Sequence, residues 1–262
     1  MSYEDVLYEV EDRVATITFN RPDRLNAFRS QTYAEVTDAI NRAGWDKEIG
    51  VIVLTGAGDR AFGVGGDSSI KKGDRVGTGI GMVGNGVENL QTAIRDVPKP
   101  VIAKVRGYAI GSANVLVTLC DLAIASDNAI FGQAGPKMGS VDPGFGTALL
   151  ARVVGEKKAR EIWYLCRKYP AEEALKMGLV NAVVPNEQLD AEVRQWCAEI
   201  NAKSPTAITL AKRSFNADSE NIRGIGQMAF PALALYFGTD ESKEGGNALR
   251  EKRVPDFRSA MP

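Results

Sequence analysis

The chain has 262 residues, 32 of them Lys or Arg and 33 Asp or Glu, for a formal net charge of −1, and 44 % of it is hydrophobic. So even a balance gives no electrostatic footprint for nucleic acid or an anionic lipid surface, and the composition is that of a chain able to bury a sizeable core. With no histidine at all, a Ser-His-Asp or Cys-His site is excluded, and the commonest neutral ligand for zinc or non-haem iron is missing.

Val6 to Val10 and Val14 to Phe19 are predicted strands around the charged turn Glu11-Asp12-Arg13, and Tyr33, Val36 and Ile40 give Thr32 to Ala43 a helical spacing. Val51 to Thr55 is a β-branched strand ending at the turn Gly56-Ala57-Gly58. A helix over Val87 to Arg95 then leads through Pro98-Lys99-Pro100 into the strand Val101 to Val105, and Leu122 to Ala125 and Ile130-Phe131 supply further strand. Strands alternating with helices predict an α/β core built from right-handed crossovers. After Thr147 the periodicity is helical: Thr147 to Val154, Lys157 to Cys166, Ala171 to Met177, Leu189 to Ala202, Pro205 to Asn216, Ala229 to Phe237 and Ser242 to Lys252. No Ser/Gly/Pro-rich linker separates the halves and no repeat of 20 to 50 residues stands out, so the helical end is expected to cap the core rather than form its own domain.

Cys120, Cys166 and Cys197 are far apart and suit packing better than a disulfide framework or a zinc site. The start of the chain is acidic from its fourth residue, without a basic and apolar leader, and no apolar run approaches the ~18 residues that span a bilayer. A cytoplasmic protein is expected, or an organellar one whose presequence has been removed.

Three glycine-rich stretches carry the chemistry. Gly79, Gly81 and Gly84 form a G-x-G-x-x-G, but Ser-Ser-Ile-Lys-Lys-Gly-Asp-Arg precedes it in place of the strand that a dinucleotide cradle requires; a loop, on the surface or over an active site, suits it better. Ala61-Phe-Gly-Val-Gly-Gly-Asp67 follows a strand, and its glycine pair lets the backbone approach a ligand and aim an N–H at it; a tight turn uses the same residues. Gly107-Tyr-Ala-Ile-Gly-Ser-Ala-Asn-Val115 opens a helix after a strand, where free N-terminal amides favour developing negative charge. Two such N–H sources suit a thioester carbonyl that becomes an enolate.

Taken with Asn20-Arg-Pro-Asp-Arg-Leu-Asn-Ala27, Pro98-Lys-Pro-Val-Ile-Ala103 and Ala125-Ser-Asp-Asn-Ala-Ile-Phe-Gly-Gln133, these motifs resemble the crotonase (enoyl-CoA hydratase/isomerase) superfamily over essentially the whole chain. The resemblance implies a ββα spiral core over residues 1–200, a helical C-terminal trimerisation region over 201–262, a homotrimer or homohexamer, an acyl-CoA substrate and no tightly bound cofactor. It puts the oxyanion N–H groups on Gly66 and Ser112, the latter usually glycine in the family. It implies acyl-CoA contacts at Arg24, Ala27, Val64, Gly65, Asp67, Ser68, Tyr108, Phe237 and Lys252, the last reaching CoA in a neighbouring subunit. For the basic residues alone, a solvated surface would be the ordinary explanation.

The two glutamates of a crotonase-type hydratase fall here on Val115 and Gly135, so addition of water to an enoyl-CoA has no acid/base pair. Gly132 to Gly146 and Val154 to Tyr164 are instead similar to the branch holding 1,4-dihydroxy-2-naphthoyl-CoA synthase and 2-ketocyclohexanecarboxyl-CoA hydrolase, with Ala93 to Pro100, Lys137 to Gly144 and Lys212 to Asn216 closer to the hydrolase. That likeness implies catalytic roles for Ser140 and Asp142, residues that would equally cap a turn before a helix. It also implies a bicarbonate held by Gln133, Gly135 and Trp163, although a helix Trp is as readily a core residue. A catalytic Tyr of the branch is replaced by Phe237; either Tyr236, about 100° around a helix, supplies the hydroxyl, or it is missing and the substrate differs. The implied reaction is hydrolytic retro-Claisen opening of a cyclic 2-keto acyl-CoA, giving a product such as pimeloyl-CoA. Its rivals are the naphthoyl-CoA synthase direction and a catalytically silent acyl-CoA-binding homologue.

Overall fold

The computed structural model describes residues 3–67, 69–70 and 86–261. Strands β1 (Val6–Glu11) and β2 (Val14–Phe19) form an antiparallel hairpin whose two turn residues, Asp12 and Arg13, have φ of 48° and 64°, the left-handed pair that matches the twist of a two-residue connection. Helix α1 (Ser30–Trp45) follows, burying Tyr33, Val36 and Ile40 as its spacing predicts. Strand β3 (Val51–Gly56) then pairs in parallel with β2.

From β3 onward the chain advances by one strand in each of two sheets and then a helix. The first turn is β3, β4 (Ala61–Gly63) and α2 (Gly86–Asp96). The second is β5 (Val101–Val105), β6 (Tyr108–Ile110) and α3 (Ser112–Leu119). The third is β7 (Leu122–Ser126), β8 (Ile130–Gly132) and a π-helical turn, Phe145–Leu149, that runs into α4 (Leu150–Val154). Helices α5 (Glu156–Leu165) and α6 (Ala171–Lys176) flank β9 (Lys168–Pro170), and β10 (Ala182–Val184) leads to α7 (Leu189–Asn201). The six-stranded sheet has the order β1-β2-β3-β5-β7-β10 and the four-stranded sheet β4-β6-β8-β9, with only β1 and β9 antiparallel to their neighbours.

This is the ββα spiral that the motifs implied. Its repetition is invisible as sequence self-similarity because the turns share a burial pattern, not residues. The unbroken apolar run of β3 follows from its central place: Ile52 and Leu54 face the main core, while Val51 and Val53 face a second cluster with Leu189, Val193 and Cys197 of α7. The three-residue strands β4, β6, β9 and β10 lie outside the predicted strands, being too short for a period to show.

Helices α8 (Pro205–Ala217), α9 (Asn221–Tyr236) and α10 (Asp240–Glu251) complete the chain. Helix α9 begins eight residues before its predicted start, because Gly224, Gly226 and the internal Pro231 hide its period while Ile222, Phe230 and Leu233 anchor it by burial. Helix α10 lies directly on the turn Pro136–Met138: a Cβ on Gly245 would come within 2.3 Å of the Lys137 carbonyl, and one on Gly139 within 2.5 Å of the Ser242 carbonyl. The C-terminal helices thus fold back onto their own core. Among the described residues, no helix is long and apolar enough to cross a membrane.

Candidate active site

Three parallel strands of the smaller sheet, β4, β6 and β8, deliver their C-terminal ends to one cavity of about 570 Å³. Val64, Gly65 and Gly66 follow β4, Gly111 and Ser112 follow β6, and Gln133, Ala134 and Gly135 follow β8, all on its wall. The first two turns are pressed together. Gly65 (φ 78°) would place a Cβ 3.2 Å from the Ser112 nitrogen, and Gly111 (φ 64°) would place one 3.8 Å from the Gly65 Cα, so both the left-handed backbone and the close approach call for glycine. Ser112 opens α3, where the first amides have no intrahelical acceptor. Among the described residues neither the Gly66 nor the Ser112 N–H donates to a partner, leaving two adjacent donors on the cavity wall for an oxygen that gains charge.

The loop 20–28 is fastened to this wall by two side chains. Buried Asn26 accepts from the Arg21 N–H (3.0 Å) and donates to the carbonyls of Ala57 (3.1 Å) and Ala61 (2.7 Å). Arg21 donates to the Ala27 carbonyl and pairs with Asp67 at 2.9 Å. Burial pushes the Asp67 carboxyl up, but hydrogen bonds from Ser69 and the Arg21 guanidinium outweigh it and hold it at about 2. Asp67 therefore lines the cavity as a fixed anion that secures the turn.

Asp142 is of another kind. It is 8 % exposed and lies on the cavity wall, its Oδ1 accepting from the Gly146 N–H (3.2 Å) and its Oδ2 from Gln91 Nε2 (2.8 Å). Burial pushes this carboxyl up to about 7 against the pull of those two donors, and no cation contributes. The π-helical turn makes the arrangement possible: a Cβ on Gly146 would fall 2.7 Å from the Asp142 Cβ, so only glycine lets the carboxylate sit over that amide. Trp163 anchors the same residue, donating its indole N–H to the Gly146 carbonyl at 2.5 Å.

Arg24, Ala27, Ser140 and Phe237 also line the cavity, Arg24 at its exposed rim. Tyr108, Tyr236 and Lys252 do not. Tyr108 stands at the N-terminal start of β6, away from the strand ends that form the site, with Lys168 Nζ over its ring at 4.8 Å. Burial, and after it the Glu241 carboxylate to which its hydroxyl turns, raise the pKa of Tyr236, while its neighbour Phe237 takes the cavity position that the 100° step allots it. Lys252 is the exposed cap of α10 (φ 54°). Ser68 and the glycines 79, 81 and 84 lie outside the described residues.

The trio expected to hold bicarbonate fits an anion poorly. The Trp163 N–H is committed to Gly146, and the open side of Gly135 is closed by the Trp163 ring (2.7 Å from a built Cβ) and the Ser140 carbonyl (2.6 Å). Of the three, Gln133, buried with both amide atoms unpartnered, and the Gly135 N–H, which donates to no partner, are left among the described residues to meet a polar group in the cavity. Sequence reasoning passed over Gln91, which sits in an amphipathic helix and carries no motif, and Arg60, which joins Arg24 and Asp23 at the rim. It also passed over Val87, Phe230 and Leu233, whose cavity faces depend on how α2 and α9 pack.

Residues 9–260 match the family model described as enoyl-CoA hydratase/isomerase. Among solved structures, an enoyl-CoA hydratase from Mycobacterium avium subsp. paratuberculosis is 30 % identical, with a TM-score of 0.86 over 97 % of this chain and 99 % of that one. An enoyl-CoA hydratase/isomerase from Pseudoalteromonas atlantica is 27 % identical, with a TM-score of 0.87 over the same shares. A monofunctional enoyl-CoA isomerase from M. smegmatis is 30 % identical, with a TM-score of 0.71 over 82 % of this chain and 94 % of that one. The chain belongs to the enoyl-CoA hydratase/isomerase family, the crotonase superfamily of acyl-CoA-processing enzymes.

Proposed function

We propose that the protein opens the ring of a cyclic 2-keto acyl-CoA by hydrolytic retro-Claisen cleavage. One observation carries the reading: among the described residues the cavity wall holds three acidic side chains, Asp23, Asp67 and Asp142, of which only Asp142 is both buried and free of a cation, its carboxyl pushed up by burial to about 7. Asp142 takes a proton from water as the hydroxyl adds to the ring ketone. The alkoxide collapses to a carboxyl group, the ring carbon–carbon bond breaks, and its electron pair passes into the thioester as an enolate held by the Gly66 and Ser112 N–H groups. Asp142 then returns its proton to the α-carbon, so one water is consumed and the site is restored. A proton taken and given back by one group calls for a pKa near the working pH. Leu210, Phe215, Met228 and Leu235, apolar and well exposed on α8 and α9, support the homotrimer or homohexamer that the resemblance implies.

A second reading, enoyl-CoA isomerisation, draws support from the same observation, since one carboxylate suffices to move a proton between two carbons, and from the likeness to the M. smegmatis isomerase. The test is a mass-spectrometric screen of cyclic 2-keto acyl-CoAs and of 3-enoyl-CoAs in ¹⁸O-labelled water. One labelled oxygen in a new carboxylate is the expected result. Turnover of 3-enoyl-CoA at unchanged mass would establish the isomerase instead, cyclisation of succinylbenzoyl-CoA the synthase, and CoA binding without turnover a silent homologue.

A further inference from the structure

Gln91 of α2 is 1 % exposed, and among the described residues its Nε2 has one partner, Asp142 Oδ2, while its Oε1 has none. A carboxamide offers a donor or an acceptor from nearly the same place after a half-turn of its terminal torsion. With Asp142 ionised, Nε2 donates to Oδ2; with Asp142 protonated at Oδ2, the reversed amide accepts from that O–H through Oε1. Either orientation leaves one amide atom unpartnered, so reversal costs nothing in pairing. A fixed donor, such as a Lys or a backbone N–H, would instead face the acid proton and oppose protonation.

We propose that Gln91 is the positioning residue that holds Asp142 in both protonation states by reversal of its amide. The inference rests on the reading of Asp142 as the group that takes and returns a proton. It gives a reason for a buried amide on a helix face where Val87, Leu90 and Ile94 pack into the core and whose other buried polar member, Arg95, has partners of its own. The surrounding elements supply little competing charge. Segment 143–149 and α3 carry no charged residue. On α2, Glu88 stands three residues before Gln91, and Arg95 four after it, where it donates to Asn216 and Ser219 and covers the Phe145 ring. Arg223 of α9 pairs with Asp96 and Glu220.

Isotope-edited infrared titration of the full chain without substrate tests this directly. With ¹³C-labelled Asp, the protonated-carboxyl band absent from Asp142→Asn reports the midpoint of Asp142. Gln91→Met keeps the volume and removes both donor and acceptor, and the midpoint is expected to rise by no more than about one pH unit, the margin by which a hydrogen bond to the ionised carboxylate exceeds one to the protonated acid. With ¹³C-labelled Gln, the amide band absent from a Gln91 variant is expected to shift with the same midpoint as Asp142. A midpoint in folded Gln91→Met raised by about two units or more, as loss of a donor to the ionised form alone would give, or a Gln91 band that ignores the titration, overturns the proposal. Should Gln91→Met fail to fold, Gln91→Glu decides: two carboxyls sharing one proton split the titration into one midpoint below and one above that of the wild type, and a single unshifted midpoint overturns the proposal. Because no substrate is present, failure of the ring-opening screen leaves this result standing, and failure here leaves that screen untouched.

Discussion

Replacing Asp142 with Asn removes a charge from a buried site while keeping its shape, and structure and function are expected to respond in opposite directions. The folded carboxyl titrates near 7, against about 3.9 in an unfolded chain, a difference of about three units at about 1.4 kcal/mol each. The raised folded value fixes the sign. Between about pH 4 and 7 the folded protein holds a proton that the unfolded chain has released, so stability falls as pH rises through that window and the full penalty, about 4 kcal/mol, applies above pH 7. Asp142→Asn is spared this penalty, because the Gly146 N–H keeps its oxygen acceptor and Gln91 can turn its Oε1 to the new amide. The variant is expected to melt higher than wild type by on the order of 10 °C at pH 8 and to match it at pH 4. Over the same comparison kcat is expected to fall about 10²–10⁴-fold, with loss of the acid limb near pH 7 from the kcat/KM profile. Melting curves at the two pH values and a pH–rate profile on the ring substrate decide the matter. A Tm difference that does not depend on pH, together with unchanged kcat, would show that Asp142 merely caps the turn and would refute the reasoning.

Gly66→Pro deletes one of the two free donors and is expected to lower kcat about 10²–10³-fold in folded protein; activity within a few-fold of wild type removes Gly66 from the oxyanion site. Gly146→Ala drives a Cβ to within 2.7 Å of the Asp142 Cβ, and the displaced carboxyl is expected to cost about 10²-fold in kcat with little change in KM. Asn26→Ala breaks one hydrogen bond within the loop 20–28 and two that fasten it to the carbonyls of Ala57, just after β3, and Ala61 of β4, and is expected to cost about 2–4 kcal/mol in urea unfolding. Because the Trp163 N–H is already committed to Gly146, turnover in rigorously CO₂-free buffer is expected to equal that with bicarbonate, and a several-fold stimulation would place an anion against Gln133.

Much of the molecule is legible along the chain. β2 and β5 occupy their predicted residues and α1, α2, β3 and α7 lie within two of theirs, since each is long and its burial follows a simple period. The two glycine turns are equally readable, because a left-handed, closely approached backbone leaves few alternatives to glycine. The absence of histidine and of both hydratase glutamates narrowed the chemistry before any fold was known. Tertiary structure decided the rest. It made one buried Asp a carboxyl that titrates near 7, because desolvation depends on everything packed around a group and not on its neighbours in sequence. It turned Trp163 from an anion ligand into a brace for Gly146, since only packing shows which acceptor an indole N–H meets. It chose Phe237 over Tyr236 for the cavity, a matter of helix rotation that a pair of adjacent aromatics leaves open. And it placed Gln91, 51 residues before Asp142 in the chain, against that carboxyl. A pairing between distant segments is set by how α2 docks against the loop that precedes the π-helical turn, and docking leaves no local pattern to read.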